Sequence, residues 1–466
     1  MSKDKDATPI ATWSLSKVKI SQSQAKVDSG LRVGIRSVTH RISRMGKTIT
    51  EKILAKASGR KDVSPGDYIE VGSRCPTPMG NFGGLRGGVE FCVEWKVGVF
   101  NPKLIRIVDG HLGATASHNA ARSRMGARKW AKAVGIPDEN IYTLGRSGIE
   151  NMFSAERAWA LPGEVYLQAV NGHSSGSGAL GAFATTLSYG RGEYFITGKT
   201  WMRVPRSIKI VVNGEFPPGT CARDLFEYFL SQIGPTGAGG AALEWTGPVV
   251  DALSMGERFS LCSLAIFTGA WTAIINPDEK TLDYVRARTI EQFEPQRSDP
   301  DAQYAKVFEL DVGKLEPQVV PPPKRHLVKP IKELEGRPIN RGFIGSDAAS
   351  WIEHLRMAAR ILKGKKIHPG VVLNITPGTT RILRQALDEG LINTFVDAEC
   401  VVPTPNEGME WGANTPLSAD EVCIASGQTN YPGRMGSEEA QIYLANPMTV
   451  AASCLEGKIT DPRKYL

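Results

Sequence analysis

Three segments punctuate the last third of the chain: Gly345-Ser-Asp-Ala-Ala-Ser350, Pro405-Asn-Glu-Gly-Met-Glu-Trp411, and Cys423-Ile-Ala-Ser-Gly-Gln-Thr-Asn-Tyr-Pro-Gly-Arg-Met-Gly436. Between them, Gly370-Val-Val-Leu-Asn-Ile-Thr-Pro-Gly378 has the apolar run of a buried strand. Residues 379–389 have the pattern of a helix, which Gly390 closes at the C′ position. Leu391-Ile-Asn-Thr-Phe-Val-Asp397 then leads toward the second segment. Strands alternating with helices imply a parallel sheet and the α/β class. The first two segments carry carboxylates in turn-like settings: Asp347 in one, Glu407 and Glu410 in the other.

Working outward, the 466 residues allow about three packed units. Apolar content of 41% with 49 glycines fits a globular chain rich in tight turns. There is no run of 18 or more apolar residues, so no membrane-spanning helix is expected. The charged start, Met-Ser-Lys-Asp-Lys-Asp, lacks the apolar stretch of a secretory signal. Seven scattered cysteines (75, 92, 221, 262, 400, 423, 454) include no Cys-x-x-Cys, and imply reduced thiols in a cytoplasmic protein. Net charge is +8, and residues 1–62, with 14 basic against 5 acidic side chains, supply +9 of it. The remainder therefore sums to −1, which argues against a nucleic-acid groove on the body. The basic residues instead mark an N-terminal extension, 1–45, either solvated or used in interaction or oligomerisation.

Further along, Thr48 and Glu51 have the spacing of a capping box before a helix. Leu104–Val108 has a strand pattern that breaks at Asp109-Gly110-His111, and ligands favour such strand ends in parallel sheets. A helix is predicted over 117–134, followed by Gly148-Ile-Glu-Asn-Met152. Val165–Val170 reads as a strand ending at Asn171-Gly-His-Ser-Ser-Gly-Ser-Gly-Ala-Leu-Gly-Ala182. The tail 178–182 suits a helix packed tightly on a sheet. Pro317, Pro321-Pro-Pro323 and Lys324-Arg325 suggest a proline-stiffened connector over 317–342. The expected organisation is an extension (1–45), an N-terminal part (46–316), the connector (317–342) and a C-terminal part (343–466).

These segments, in this order, resemble the large subunit of 3-isopropylmalate dehydratase, in the aconitase superfamily, over about residues 45–466. The family pattern has Gly-Ser-Cys-Thr-Asn-Gly-Arg at the first segment, Cys-x-x-Cys at the second and Ser-Asn-Arg-Asn-Phe-x-Gly-Arg-x-Gly at the third. Its three cysteines hold a [4Fe–4S] cluster. Here their positions carry Asp347, Glu407 and Glu410. The resemblance implies an aconitase-like three-domain α/β large subunit without the swivel domain, which a separate small subunit would supply, or the enzyme works without it.

If the backbone is kept, the three carboxylates converge. They cannot hold an iron–sulfur cluster, which needs thiolates. Close carboxylates repel, so they must bind a hard divalent ion, be neutralised by Lys or Arg, or splay into solvent. The expectation is one divalent metal (Fe, Mn, Mg or Zn) on Asp347, Glu407 and Glu410. Catalytic candidates are Asp109, His111, His173 and Ser174. Substrate-binding candidates are Asn151, Asn171, Thr429, Asn430 and Arg434; Asn151, Asn171 and Thr429 stand where the family has His, Asp and Arg. Arg434 is suited to anchoring a carboxylate. The expected function is a cluster-free, metal-dependent lyase of the hydratase/dehydratase type acting on a small carboxylate. Alternatives are a metal-dependent hydrolase at the same site, or a non-catalytic homologue in a regulatory or assembly role.

Overall fold

In a computed structural model the alternating pattern becomes a set of parallel and mixed sheets with helices packed against them. The structure describes residues 46–466 except 75–76, 79–89, 114–117, 170–171, 188–190 and 413. The N-terminal extension, the glycine-rich stretch after Pro78 and Asn171 lie outside the described residues.

The largest sheet orders its strands Lys329–Pro330, Gln318–Val320, Gln441–Ala445, Val422–Ala425, Arg341–Ile344 and Val372–Ile375. The last four run parallel. Phe343 lies opposite both Asn374 and Ala425, so three neighbouring strands end together, at Ile344, Ile375 and Ala425. The chain turns there into the segments bearing Asp347, Thr376-Pro377-Gly378 and Gln428. That shared carboxyl end is where open parallel sheets bind ligands. Arg341–Ile344 is buried along its whole length, as expected of a strand covered on both faces.

The stretch 317–342, whose prolines suggested a connector, also belongs to this sheet. Gln318–Val320 pairs antiparallel with Gln441–Ala445 and with Lys329–Pro330. Pro330, which has no N–H to donate, sits on the edge strand, where none is required.

A second sheet, all parallel, has the order Thr272–Ile275, Ala242–Thr246, Ser207–Asn213, Lys306–Asp311. The helix Ala222–Ile233 covers it, and Phe229 meets Trp245 and Phe308 edge-on, with centroids 5.0 and 5.3 Å away. A third parallel sheet joins Thr77–Pro78, Val165–Ala169 and Phe183–Thr186. Residues 46–466 all belong to one packed unit.

Local chemistry explains several boundaries. Thr48 and Glu51 form the expected capping box of the helix Ile49–Ala57. Thr379 caps Thr380–Asp388, and Gly390 follows with φ +71°. The strand predicted over 104–108 is shorter, Ile107–Val108, because the Leu104 and Ile105 N–H groups turn back to the carbonyls of Asn101 and Pro102. Residues 178–182 do not form an α-helix. They end a 3₁₀ helix, Gly172–Leu180, pressed so closely on the strand Thr272–Ile275 that a Cβ on Gly178 would lie 1.7 Å from the Ala273 carbonyl oxygen. No helix among the described residues is long and apolar enough to cross a membrane.

Backbone blocks that Cβ, so the neighbouring strand must move. Gly178→Ala is expected to destabilise the fold by about 1–3 kcal/mol, read as a lower urea midpoint at unchanged m-value.

Candidate functional site

Asp347 sits in the short helix Ser346–Ala349, directly after the strand Arg341–Ile344. Ser346 adopts φ +69°, a left-handed conformation that non-glycine residues seldom take. The Ser426 hydroxyl accepts the Gly345 N–H at 3.1 Å, and the Ser426 N–H reaches the Phe343 carbonyl at 2.8 Å. The loops after two adjacent parallel strands are thereby tied together.

At their junction lies Gln428, 1% exposed. Its side-chain NH₂ donates to Asp347 Oδ2 at 2.9 Å and to Glu407 Oε1 at 3.2 Å. Asn151 donates to the same Asp347 oxygen at 3.0 Å. Asp347 and Glu407 are buried, and among the described residues Asp347 Oδ1 and Glu407 Oε2 have no partner. Burial raises the Asp347 carboxyl to about 6 against the hydrogen bonds from Asn151 and Gln428. It pushes Glu407 well above the usual range, helped by the negative charges of Asp347 and Glu410.

Glu410 behaves differently. Its Oε1 accepts from Arg434 Nε at 2.8 Å, from the Thr429 hydroxyl at 2.9 Å and from the Thr429 N–H at 3.2 Å. Its Oε2 accepts the Gln428 N–H at 2.8 Å. A Cβ on Gly427 would lie 2.1 Å from that oxygen, so glycine is required there. Arg434 stacks on Trp411, 3.8 Å from the ring centroid, and contacts the Tyr431 hydroxyl at 3.2 Å. Burial would lower its pKa, and the Glu410 carboxylate outweighs that and raises it. The expected third metal ligand and the expected carboxylate anchor therefore neutralise each other. Two opposite charges this deep are held by mutual attraction.

The backbone beneath Gln428 is held by a buried cationic clamp. Arg223 donates to the carbonyls of Ser426 and Gly427, both at 2.6 Å, and Arg325 Nε donates to that of Gln428 at 2.7 Å. Glu227 pairs with both guanidiniums.

The other expected residues separate into near and far. The His111 carbonyl accepts the Glu407 N–H at 2.8 Å, and its Nδ1 faces the Glu150 N–H at 3.5 Å. His173 Nδ1 meets the Ser263 carbonyl at 3.0 Å. Burial lowers both imidazoles to about 3, so both are neutral at pH 7. Asn151, His173, Asp347 and Trp351 line one cavity of about 10 Å³, room for roughly one water. Ser174 is buried in the same 3₁₀ helix as His173. Asp109 instead pairs with Arg128 at 3.2 Å, although burial raises its carboxyl to about 6. Asn430 donates to the Pro321 carbonyl at 2.9 Å, a scaffold contact.

Sequence reasoning missed two residues. Gln428 stands where the family motif has Asn, a departure visible in the sequence. Glu150 precedes Asn151, is fully buried, has no partner on either carboxyl oxygen, and is driven well above the usual range by burial and by Asp347. Nothing in its local sequence marks it.

The profile of the aconitase family (aconitate hydratase) matches residues 108–338 and 324–457. The 3-isopropylmalate dehydratase large subunit 1 of Methanopyrus kandleri is 37% identical over 425 residues, 91% of this chain and 100% of that one. The large subunit of Aquifex aeolicus is 37% identical over 426 residues, 90% of this chain and 97% of its own. That of Desulfatibacillum aliphaticivorans is 38% identical over 421 residues, 90% and 99%. The holo-form of aconitase X from Thermococcus kodakaraensis superposes with a TM-score of 0.45 at 11% identity, over 77% of this chain and 84% of that one. The chain belongs to the aconitase family. The curated relatives are large subunits of a dehydratase, and the resemblance drawn from the sequence brings with it the expectation of a [4Fe–4S] cluster.

Carboxylates do not fit such a cluster. Cys221, Cys262, Cys400, Cys423 and Cys454 are free thiols, and Cys423 lies in the core strand Val422–Ala425. Among the described residues no group of three His, Cys, Asp or Glu side chains is placed to hold a metal ion. Two hard oxygens, Asp347 Oδ1 and Glu407 Oε2, are buried and unpartnered. Such a pair fits an ion that keeps most of its coordination for water or substrate, as Mg²⁺ does.

Between the ordinary Asp value of 3.8 and about 6, the folded protein holds a proton at Asp347 that the unfolded chain has released. Stability therefore falls as pH rises through that window. In chelator-treated protein, Asp347→Asn is expected to gain on wild type by roughly 3 kcal/mol between pH 4 and pH 7, measured by urea unfolding. Equal stability differences at both pH values would show that this carboxyl ionises normally.

Proposed function

We propose that the chain is a cluster-free lyase of the hydratase/dehydratase type, acting on a small carboxylate with a divalent metal ion held by Asp347 and Glu407. The observation that carries this reading is the pair of unpartnered buried oxygens, Asp347 Oδ1 and Glu407 Oε2, drawn together by one Gln428 NH₂. Mg, Mn or Fe(II) suits these donors better than Zn, since no thiolate or imidazole completes the set. When bound, the ion would supply Lewis-acid polarisation of a substrate oxygen and compensate the negative charge gathered at these carboxyls.

The chain's own groups take the proton work. Glu150, buried beside Asp347, stays protonated and can donate toward a departing hydroxyl. The Ser263 carbonyl at His173 Nδ1 favours the tautomer protonated there, and burial keeps the ring neutral. His173 and Asp347 wall the same small cavity, so a neutral imidazole and a carboxyl border one volume. With Arg434 taken by Glu410, the substrate carboxylate needs another anchor, and the cavity must open to admit it. A separate small subunit, as the name "large subunit" implies for the relatives, is the natural source of both.

The test compares protein purified without chelator with the Asp347→Ala/Glu407→Ala variant by inductively coupled plasma mass spectrometry. Each is then assayed on small hydroxy-carboxylates by the ultraviolet absorbance of the unsaturated product. Roughly one metal ion per chain, lost in the variant together with turnover, is expected. Metal absent from both, with the variant equally stable, would overturn the metal assignment and favour the non-catalytic reading.

A further inference from the structure

A second cavity, of about 400 Å³, opens at the other end of the helix Glu150–Glu156. Asn151 at one end of that helix touches Asp347, while Glu156 and Arg157 at the other end face this cavity. Seven residues of helix separate the two places by about 10 Å. The cavity volume is of the size that holds small ligands.

Five arginines line it, Arg74, Arg106, Arg157, Arg288 and Arg381, against two acids, Glu156 and Glu291. They come from five separate parts of the chain. Several of their guanidiniums are held by stacking on aromatic rings. Arg106 lies over Trp159 at 5.1 Å, and Arg157 over Phe153 at 4.5 Å and Tyr142 at 5.1 Å. Stacking uses the flat face of a guanidinium and leaves its N–H edge for hydrogen bonds. Arg288 stacks on Tyr284 at 3.4 Å and donates to the Glu156 carbonyl at 2.9 Å. Arg157 and Arg381 are exposed, and among the described residues neither forms an ion pair. Glu291 and Glu164 are taken by Arg74, and the Glu156 carboxylate accepts from the Thr379 hydroxyl. Like charges gathered around a concave wall repel unless an anion joins them, and the aromatic wall focuses their field into the cavity.

We propose that this cavity is a binding site for a small multiply charged anion, a polycarboxylate or a phosphorylated compound, separate from the Asp347–Glu407 site. The guanidinium edges of Arg157 and Arg381 grip the anion's oxygens in bidentate fashion, with Arg106 and Arg288 completing the positive wall.

Isothermal titration of the full chain with citrate, with inorganic pyrophosphate and with acetate tests this at low ionic strength. Saturable binding of citrate or pyrophosphate, but not of acetate, is expected. Citrate alone identifies a polycarboxylate site, and pyrophosphate alone a phosphate site. Arg157→Ala/Arg381→Ala should weaken binding roughly tenfold or more, and Arg157→Lys/Arg381→Lys should weaken it less, because charge remains while the fork is lost. Asp347→Ala/Glu407→Ala should bind the anion as wild type does. Both arginines are exposed, so an unchanged thermal midpoint serves as the folding control. No binding of either anion, binding unchanged in the double alanine variant, or binding lost with Asp347 and Glu407 would each overturn the proposal.

Discussion

The carboxamide of Gln428 is the joint on which the rest of the site depends. It donates to two buried acids at once, and without it Asp347 and Glu407 would face each other with nothing between them but repulsion. The joint holds its place because its own backbone is held. Arg223 and Arg325 bind three consecutive carbonyls from 426 to 428, and Glu227 balances both cations. A network of this kind is stable only when nearly every member is satisfied. Among the described residues, carboxyl oxygens of Asp347, Glu407 and Glu150 are left without a partner in this network.

A proline-rich stretch makes part of this possible. Residues 317–342 supply an edge strand and its neighbour to the largest sheet, Arg325 to the clamp, and the Pro321 carbonyl that receives Asn430. The same residues carry the chain from one sheet to the next. The third motif thereby rests on contacts from the segment that precedes the sheet as well as on the sheet itself.

Much of the fold was legible in the sequence. The strand and helix alternation over 343–436, the capping box at Thr48 and the turn at Gly390 follow from local rules, and the structure has each. The resemblance supplied the long-range order that local rules lack. Helix over 178–182 was misjudged because the deciding fact, a carbonyl 1.7 Å from a hypothetical Cβ, belongs to a strand nearly a hundred residues away. At the site, the convergence of Asp347 and Glu407 followed from the resemblance, whose cysteine positions they occupy. The fate of Glu410 did not, because it turns on which of two nearby groups Arg434 meets. Glu150 was invisible for the same reason: a carboxyl acquires meaning only from the burial around it.

The Glu410–Arg434 pair has a consequence for how the site responds to substitution. An arginine this deep, stacked on Trp411, is tolerable only with its carboxylate beside it. Replacing Glu410 alone by a neutral residue would strand a buried cation at a cost of about 3–5 kcal/mol, a large share of a domain's stability. Gly427, left bare to make room for the Glu410 oxygen, would become a small void. Glu410, Arg434, Trp411 and Gly427 are thus coupled: a change at one is tolerated only with a matching change at another, so the four behave as a single unit under substitution.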